Sequence, residues 1–202
     1  MGLWLAPLPL VLASGSTVRR ALLEAAGIPL EVRPATIDER AIEAGSPNKH
    51  PVAIAALLAR EKALRVAAAR PGRLVVGADQ VLTFEGRRLD KPADRAAARA
   101  QLRAFAGRTH ELHAGVAVAR ERTLLFEHVD VVRLTVRALS DSFLDRYLDA
   151  AGPAVTVSVG AYQIEGIGIQ LFDRIDGDHF TVMGLPLLPL LAYLRAEGSL
   201  AA

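Results

Sequence analysis

Apolar segments of strand length alternate with helix-like segments along this chain, and this alternation restricts the folds that it can adopt. The strand-like segments are residues 8–13, 30–34, 74–84, 110–119, 124–136 and 169–175. The helix-like segments are residues 16–26, 52–69, 94–105, 140–150 and 186–196. We therefore predict a mixed α/β fold, with a β-hairpin formed by residues 110–119 and 124–136. The polar residues 38–51 are predicted to form a loop or lid with one helical turn.

The composition is compatible with one large domain and excludes several classes of protein. Hydrophobic residues make up 51% of the 202 residues, which is enough for a substantial core. The absence of cysteine excludes a disulfide scaffold and a thiolate site, and it fits a reducing, cytoplasmic location. The net charge is only +2 and no Lys/Arg run occurs, so a nucleic-acid partner is not expected.

The apolar N-terminal stretch, residues 1–13, is interpreted as leading into a core strand. It lacks the basic segment of a signal peptide, and it is interrupted by Pro7 and Pro9. No later segment has the roughly 20 uninterrupted apolar residues that a membrane helix needs. The sequence therefore predicts no membrane association.

The segment Ser14-Gly15-Ser16 joins the first predicted strand to the N-terminus of a helix. Unpaired N–H groups and the helix dipole favour an anion there, and the hydroxyls and Arg19 add further donors. An ordinary serine-rich turn with a helix cap remains the alternative interpretation.

Asp79 and the lysines are the second candidate cluster. Asp79 lies inside an apolar strand, where a carboxylate needs a cationic partner or a metal ion. The alternative is a core aspartate that is satisfied by hydrogen bonds. Only three of the 24 Lys and Arg residues are lysines, namely Lys49, Lys62 and Lys91. Such rarity makes them candidates for sites that need a compact ammonium, although Lys62 also fits a solvated helix face.

Several familiar motifs are missing from the sequence. His110 and His113 are three residues apart on a predicted strand, which places them on opposite faces and argues against a shared metal site. Ser14 has no evident histidine relay, so a hydrolase triad is not supported. Neither a Walker A loop nor a Rossmann glycine fingerprint is present.

A series of short segments nevertheless forms a specific pattern. These segments are Leu12-Ala13-Ser14-Gly15-Ser16 with Arg19 and Leu22-Leu23, Ile37-Asp38-Glu39, Arg60-Glu61-Lys62-Ala63, Gly77-Ala78-Asp79-Gln80, Lys91-Pro92, Gly107-Arg108-Thr109-His110, Gly160-Ala161-Tyr162 to Glu165-Gly166, and Gly184-Leu185-Pro186. In order and spacing they resemble the Maf family of nucleotide pyrophosphatases, over nearly the whole chain. The resemblance implies one domain over residues 1–202, with an inosine-triphosphatase-like architecture of two lobes around a substrate cleft.

The resemblance also implies an activity and a role for each matching residue. The activity is hydrolysis of a nucleoside triphosphate to the monophosphate and pyrophosphate. Asp79 looks like the general base that activates water, and Glu39 and Asp79 like the carboxylates around Mg²⁺ or Mn²⁺. Lys62, Lys91 and Arg19 would hold the triphosphate, with Ser14 and Ser16 donating to it. A homodimer is a further expectation.

Three positions bear on the choice of base. A subgroup acting on 7-methyl-GTP usually carries Pro-Trp-Arg-Arg, Asp-Gln and a Glu at these motifs, whereas a subgroup acting on dTTP and UTP carries Pro-Arg-Arg, Asp-Thr and a Gln. Gln80 and Glu165 match the first subgroup, while Val18 departs from it because valine cannot stack on a cationic purine. A glutamate also suits the donor edge of guanine. We therefore expect a guanine-type nucleotide, with a pyrimidine triphosphate as the alternative.

Two alternatives from other classes stay open. Maf-like proteins are associated with septum formation, so a non-catalytic regulator is one of them. The presence of Glu39, Lys62, Asp79 and Lys91 argues against it. An inosine or xanthosine triphosphatase of the related family is the other.

Overall fold

The computed structural model describes residues 2–202, and within them seven strands form one mixed sheet. The strands are β1 Leu10–Leu12, β2 Leu30–Val32, β3 Val75–Phe84, β4 Arg87–Leu89, β5 Thr109–Arg120, β6 Thr123–Val136 and β7 Phe172–Asp176. The helices are α1 Thr17–Ala25, α2 Glu39–Gly45, α3 Pro51–Ala67, α4 Arg95–Phe105, α5 Asp141–Ala151, α6 His179–Val182 and α7 Leu187–Ala196. The predicted α/β class is confirmed.

The sheet follows the order β2-β1-β3-β5-β6-β7, and β4 pairs with β3 beside this path. β1 is parallel to both β2 and β3, with Val11 opposite Glu31 on one side and Val75 on the other. β4 and β7 pair antiparallel with β3 and β6 respectively. A two-residue turn at Glu121 and Arg122 joins β5 to β6, as the predicted hairpin requires.

The chain divides into two compact units with different cores. The first unit comprises the residues up to Gln80, Ala114–Asp130 and Gly184–Ala202. Its core contains a cluster of small aliphatic side chains, among them Ala59, Ala63 and Val75. The second unit comprises Val81–His113 and Val131–Met183. Its core contains larger side chains, including an edge-to-face pair of Phe84 and Phe105 with ring centroids 5.0 Å apart.

Two segments differ from the prediction. Residues 39–45 form helix α2, capped at Asp38, where a loop with one helical turn was expected. The predicted strand 169–175 begins only at Phe172, because Ile167–Leu171 form a 3₁₀ turn. Gly168 permits this turn, since a Cβ at this position would lie 2.5 Å from the carbonyl oxygen of Gln163. The chain therefore folds back on itself there before it can extend into a strand.

Candidate active site

The loop between β1 and α1 lies at a helix N-terminus, as the sequence predicted. β1 ends at Leu12 and α1 begins at Thr17. The Ser16 hydroxyl oxygen caps the helix by accepting the amide N–H of Arg19 over 3.3 Å. The first turn of a helix carries unpaired N–H groups and the positive end of the helix dipole. This loop is therefore suited to hold an anion.

Ser14 is the buried residue of this loop, with only 7% of its surface exposed. Its Oγ accepts two hydrogen bonds, one from the amide of Ser16 at 3.3 Å and one from Nη1 of Arg19 at 3.1 Å. A hydroxyl has two acceptor lone pairs and one proton, so both lone pairs are occupied. Towards a ligand, the Ser14 hydroxyl can therefore act only as a donor, which is the role expected of it.

Arg19 links three separate segments of the first unit. Its Nε donates to the carbonyl of Gly184 at 2.8 Å, and its Nη1 donates to the carbonyl of Ala78 at 2.9 Å and to Ser14. Three of its five N–H donors are thus used inside the protein. Nη2 donates to no residue within 2–202, so this nitrogen is the part of Arg19 that can reach a ligand. The sequence indicated the phosphate role but not this cross-link.

The electrostatics around Arg19 favour a further anion. Its pKa is lowered, chiefly because burial removes the guanidinium from water, while the negative charges of Asp79 and Glu39 act in the opposite direction. Its hydrogen-bond acceptors in the protein are carbonyls and a hydroxyl, which carry no full charge. A partly buried cation whose hydrogen-bond partners are uncharged can attract a negatively charged ligand.

Asp79 and Lys62 form the charged centre of the site. The Lys62 Nζ lies 2.6 Å from Asp79 Oδ1 and also 2.6 Å from Glu39 Oε1. Asp79 is 6% exposed, and this burial raises the pKa of its carboxyl, although Lys62 and Arg19 act to lower it. A carboxylate with a raised pKa binds a proton more readily, as a general base must. The structure thus brings together three of the predicted catalytic residues.

Lys62 reaches Asp79 because helix α3 lies directly against β3. A Cβ on Gly77 would lie 2.2 Å from the carbonyl oxygen of Ala59 and 2.5 Å from the amide nitrogen of Ala63. Such distances mean that the helix backbone touches the strand backbone with no side chain between them. Lys62 precedes Ala63 on this helix, so the same contact fixes the base of its side chain.

The other two lysines lie in different surroundings. The Lys49 Nζ donates to the carbonyls of Glu43 and Ala44, at 2.8 Å for Ala44, and so caps the C-terminal end of α2. The contacts of the Lys49 ammonium are thus structural. Lys91 belongs to the second unit, is exposed, and pairs with no other residue within 2–202. Its predicted role at the triphosphate stays a prediction.

The three predicted specificity residues are divided between the two units. Val18 is half-buried on α1 and Gln80 follows Asp79 on β3, both in the first unit. Glu165 belongs to the second unit and is exposed at a turn in which the Gly166 amide donates to the Gln163 carbonyl over 3.2 Å. Glu165 makes no hydrogen bond or ion pair within the described residues. Its carboxylate is therefore open to a ligand.

The segment before Glu165 is held by a buried pair that sequence reasoning missed. His110 Nε2 lies 2.6 Å from the hydroxyl of Tyr162, and the His110 ring stacks on Phe105 at 4.5 Å. Burial lowers the pKa of His110 to about 4. His113 has a different partner, the hydroxyl of Thr83 at 2.9 Å. The only sequence signal for this pair was that His110 and Tyr162 both belong to the recognised motifs.

Residues 2–202 lack the features of two other classes of site. They contain no group of three or more His, Cys, Asp or Glu side chains that could hold a metal ion. The carboxylates that contact Lys62 are a pair, Glu39 and Asp79. None of the described helices is both long and apolar enough to cross a membrane.

Fold and site together define an α/β protein that carries an anion-binding loop next to a carboxylate–ammonium cluster. A family model described as "Maf-like protein" matches residues 9–197, and the chain therefore belongs to the Maf-like family. Two curated relatives named nucleoside triphosphate pyrophosphatase support this. The relative from Nitrobacter winogradskyi is 58% identical over 98% of both chains. The relative from Bradyrhizobium diazoefficiens is 56% identical over the full length of both.

The chain is also similar to a more distant relative and to a solved structure. A relative of the same name from Paramagnetospirillum magneticum is 48% identical, over 94% of this chain and 99% of the relative. The structure of a HAM1 protein from Coxiella burnetii is 18% identical, with a TM-score of 0.41, and the match covers 64% of this chain and 73% of that one.

Proposed function

We propose that this chain hydrolyses nucleoside triphosphates to the monophosphate and pyrophosphate. The observation that carries the proposal is the Lys62 ammonium held 2.6 Å from both Asp79 and Glu39, in the same unit as the anion-binding loop. The name shared by the curated relatives supports the same activity. A triphosphate provides the anion that the loop favours. Its α–β anhydride bond is the bond that hydrolysis breaks.

Glu39 and Asp79 fit a divalent cation. One oxygen of each carboxylate already points at a single positive charge, and carboxylate oxygens are the ligands that Mg²⁺ prefers. A bound Mg²⁺ or Mn²⁺ would neutralise charge on the phosphates and polarise the bond that breaks. The pair supplies two ligands, and Mg²⁺ usually keeps several waters or takes substrate oxygens for the rest.

The protein residues perform the remaining tasks. Asp79 removes a proton from water, and the water oxygen forms a new bond to the α-phosphorus. The bond between the α-phosphorus and the bridging oxygen breaks, and pyrophosphate leaves with the electron pair. Ser14 and Arg19 donate hydrogen bonds to the phosphate oxygens, where negative charge increases in the transition state. Lys91 is proposed to add a second ammonium to the leaving pyrophosphate.

A panel of nucleoside triphosphates with Mg²⁺ or Mn²⁺ tests the activity. Phosphorus NMR is expected to show pyrophosphate and a monophosphate as the only products. Orthophosphate with a diphosphate intermediate would contradict the proposal and indicate a phosphatase. No turnover of any triphosphate would favour a non-catalytic regulator.

The finer proposal is that Glu165 and Gln80 select a guanine-type base such as 7-methylguanine. Glu165 is exposed and has two acceptor oxygens, which match the N1–H and N2–H₂ donors of guanine. In Glu165→Gln an amide donor faces a base donor, and the unpaired group costs about 1–3 kcal/mol. Guanine-type activity should then fall roughly tenfold to a hundredfold relative to UTP and dTTP.

The proposed role of Glu165 in selecting the nucleobase can be tested against a matched control variant. Glu121→Gln makes the same chemical change at an exposed turn and should leave all substrate ratios unaltered. Val18→Trp should raise the preference for 7-methyl-GTP over GTP, because an indole stacks on a cationic purine. If Glu165→Gln lowers every substrate equally, or if the unaltered protein prefers UTP or dTTP, Glu165 does not read the base.

A further inference from the structure

The Lys62 ammonium occupies the point where the two carboxylates of the site converge. Its Nζ lies 2.6 Å from Glu39 Oε1 on α2 and 2.6 Å from Asp79 Oδ1 on β3. The Lys62 and Asp79 side chains are only 12% and 9% exposed, whereas that of Glu39 is 43% exposed. The protein therefore carries its own cation at the position that suits a metal ion.

A divalent cation and this ammonium cannot share the position. Mg²⁺ binds oxygen ligands at about 2.0–2.1 Å and requires near-octahedral geometry. A metal ion on Glu39 Oε1 and Asp79 Oδ1 would stand against the Nζ that now contacts both oxygens. Two positive charges at such a distance repel each other strongly in a poorly hydrated site. Binding of the metal therefore requires Lys62 to move away from the carboxylates.

A bound phosphate provides a new partner for the displaced ammonium. Arg19 ties the anion-binding loop to Asp79, because its Nη1 bonds both Ser14 and the carbonyl of Ala78. An anion on this loop would thus be connected through Arg19 to the strand that carries Asp79, which Lys62 contacts. The four unbranched carbons of lysine allow its head group to change partner, which the planar fork of arginine does not permit as easily.

We propose that Lys62 is an exchangeable counter-ion: a divalent cation takes its place on Glu39 and Asp79, and its ammonium moves to the phosphate. The inference rests on the proposed function for the identity of the anion. Its consequence is a positive coupling between metal and anion. Each ligand should raise the affinity of the other by the same factor, as thermodynamic linkage requires.

Manganese binding to the full-length protein tests this exchange without any turnover. The free Mn²⁺ concentration is followed by electron paramagnetic resonance during a titration. In Lys62→Gln the competing ammonium is absent, and the affinity for Mn²⁺ should rise by a factor of about 5–150. Lys62→Arg keeps the charge and should show no such rise. Arg65→Gln, which removes an exposed cation from the same helix, controls for the general change in charge.

A second titration measures the coupling itself. Sulfate serves as the probe, because it is a tetrahedral dianion that chelates Mn²⁺ far more weakly than a polyphosphate does. Sulfate should tighten Mn²⁺ binding to the unaltered protein, and this effect should shrink in Lys62→Gln. Lys62→Met, which is unbranched and uncharged, repeats the test, and circular dichroism checks that each variant is folded.

The outcomes separate this inference from the proposed function. Unchanged or weaker Mn²⁺ binding in both folded neutral variants would overturn the exchange, as would an equal gain in Lys62→Arg. Pyrophosphate release by the unaltered protein is measured in a separate assay. If that release is absent while Lys62→Gln still binds Mn²⁺ more tightly, the proposed function fails and the cation exchange stands.

Discussion

Replacing Gly77 by alanine should damage both stability and activity, because α3 leaves no space for a methyl group. The new Cβ would lie 2.2 Å from the Ala59 carbonyl oxygen and 2.5 Å from the Ala63 amide nitrogen. Ordinary contacts of this kind begin near 3.4 Å, so the helix must retreat by about 1 Å. Overpacking of this type costs about 1–3 kcal/mol, or roughly 2–12 °C in melting temperature for a chain of this size.

The loss of activity follows from the same displacement. A shift of about 1 Å would move the base of the Lys62 side chain, whose Nζ now lies 2.6 Å from Asp79 Oδ1, away from both the carboxylates and the anion-binding loop. A misplacement of that size in a catalytic group can lower the rate about a hundredfold. The free energy of unfolding is measured in urea and kcat/KM from pyrophosphate release. Gly45→Ala is the control, because a Cβ on Gly45 meets nothing within 4 Å.

A second glycine distinguishes a general packing defect from a local one. A Cβ on Gly115 would lie 2.4 Å from the carbonyl oxygen of Ala55, about two helical turns from Lys62. Gly115→Ala should therefore destabilise the protein by a similar amount with a smaller loss of kcat/KM. If the free energy of unfolding of Gly77→Ala lies within about 0.5 kcal/mol of that of the unaltered protein, the close contact between α3 and β3 does not contribute to stability as proposed.

Three further perturbations test other parts of the site. Asp79→Asn should lower kcat about 10²–10⁴-fold while the fold survives, since general-base loss has this magnitude; near-normal turnover would remove Asp79 from that role. Lys91→Arg should raise KM for the triphosphate although the charge is kept, and unchanged kinetics would show that a compact ammonium is not required there. Burial lowers the pKa of His110 to about 4, so between pH 6.5 and 4 the unfolded chain binds a proton that the folded chain does not. The free energy of unfolding should therefore fall by about 1.4 kcal/mol per pH unit as the pH decreases through this window. Urea titrations of His110→Gln at several pH values should show a weaker dependence of this free energy on pH. An equal dependence in both proteins would mean that His110 does not have the lowered pKa.

Elements with a strong local pattern could be predicted from the sequence. The apolar run 8–13 contains β1, and the alanine-rich segment 52–69 corresponds to α3, which begins one residue earlier at Pro51 and ends at Ala67. The helix-like segments 94–105 and 140–150 correspond to α4 and α5, whose N-termini are capped by Asp94 and Ser140, because each side chain accepts an amide N–H three residues further on. Such signals are carried by neighbouring residues, so a single sequence is sufficient to detect them.

Features that depend on contacts made from outside an element were missed or misassigned. Helix α2 has only seven residues, and its C-terminal end is stabilised by Lys49, which lies outside it. The acceptors of Arg19 are the carbonyls of Ala78 and Gly184, 59 and 165 residues away. Every residue has a carbonyl, so no side-chain pattern indicates which carbonyl will be used. The charges of the site were predictable from residue type, whereas the bonds that orient them were not.

The occupied lone pairs of Ser14 have a consequence for the design of inhibitors. Its oxygen already accepts from Ser16 and Arg19, so only its proton is available to a bound molecule. A phosphonate or sulfonate head group, which only accepts, satisfies that proton. A protonated amine or a guanidinium head group only donates, and would leave the proton unpaired at a cost of about 1–3 kcal/mol. The polarity of a single hydroxyl thus selects between chemical classes of ligand before shape or charge is considered.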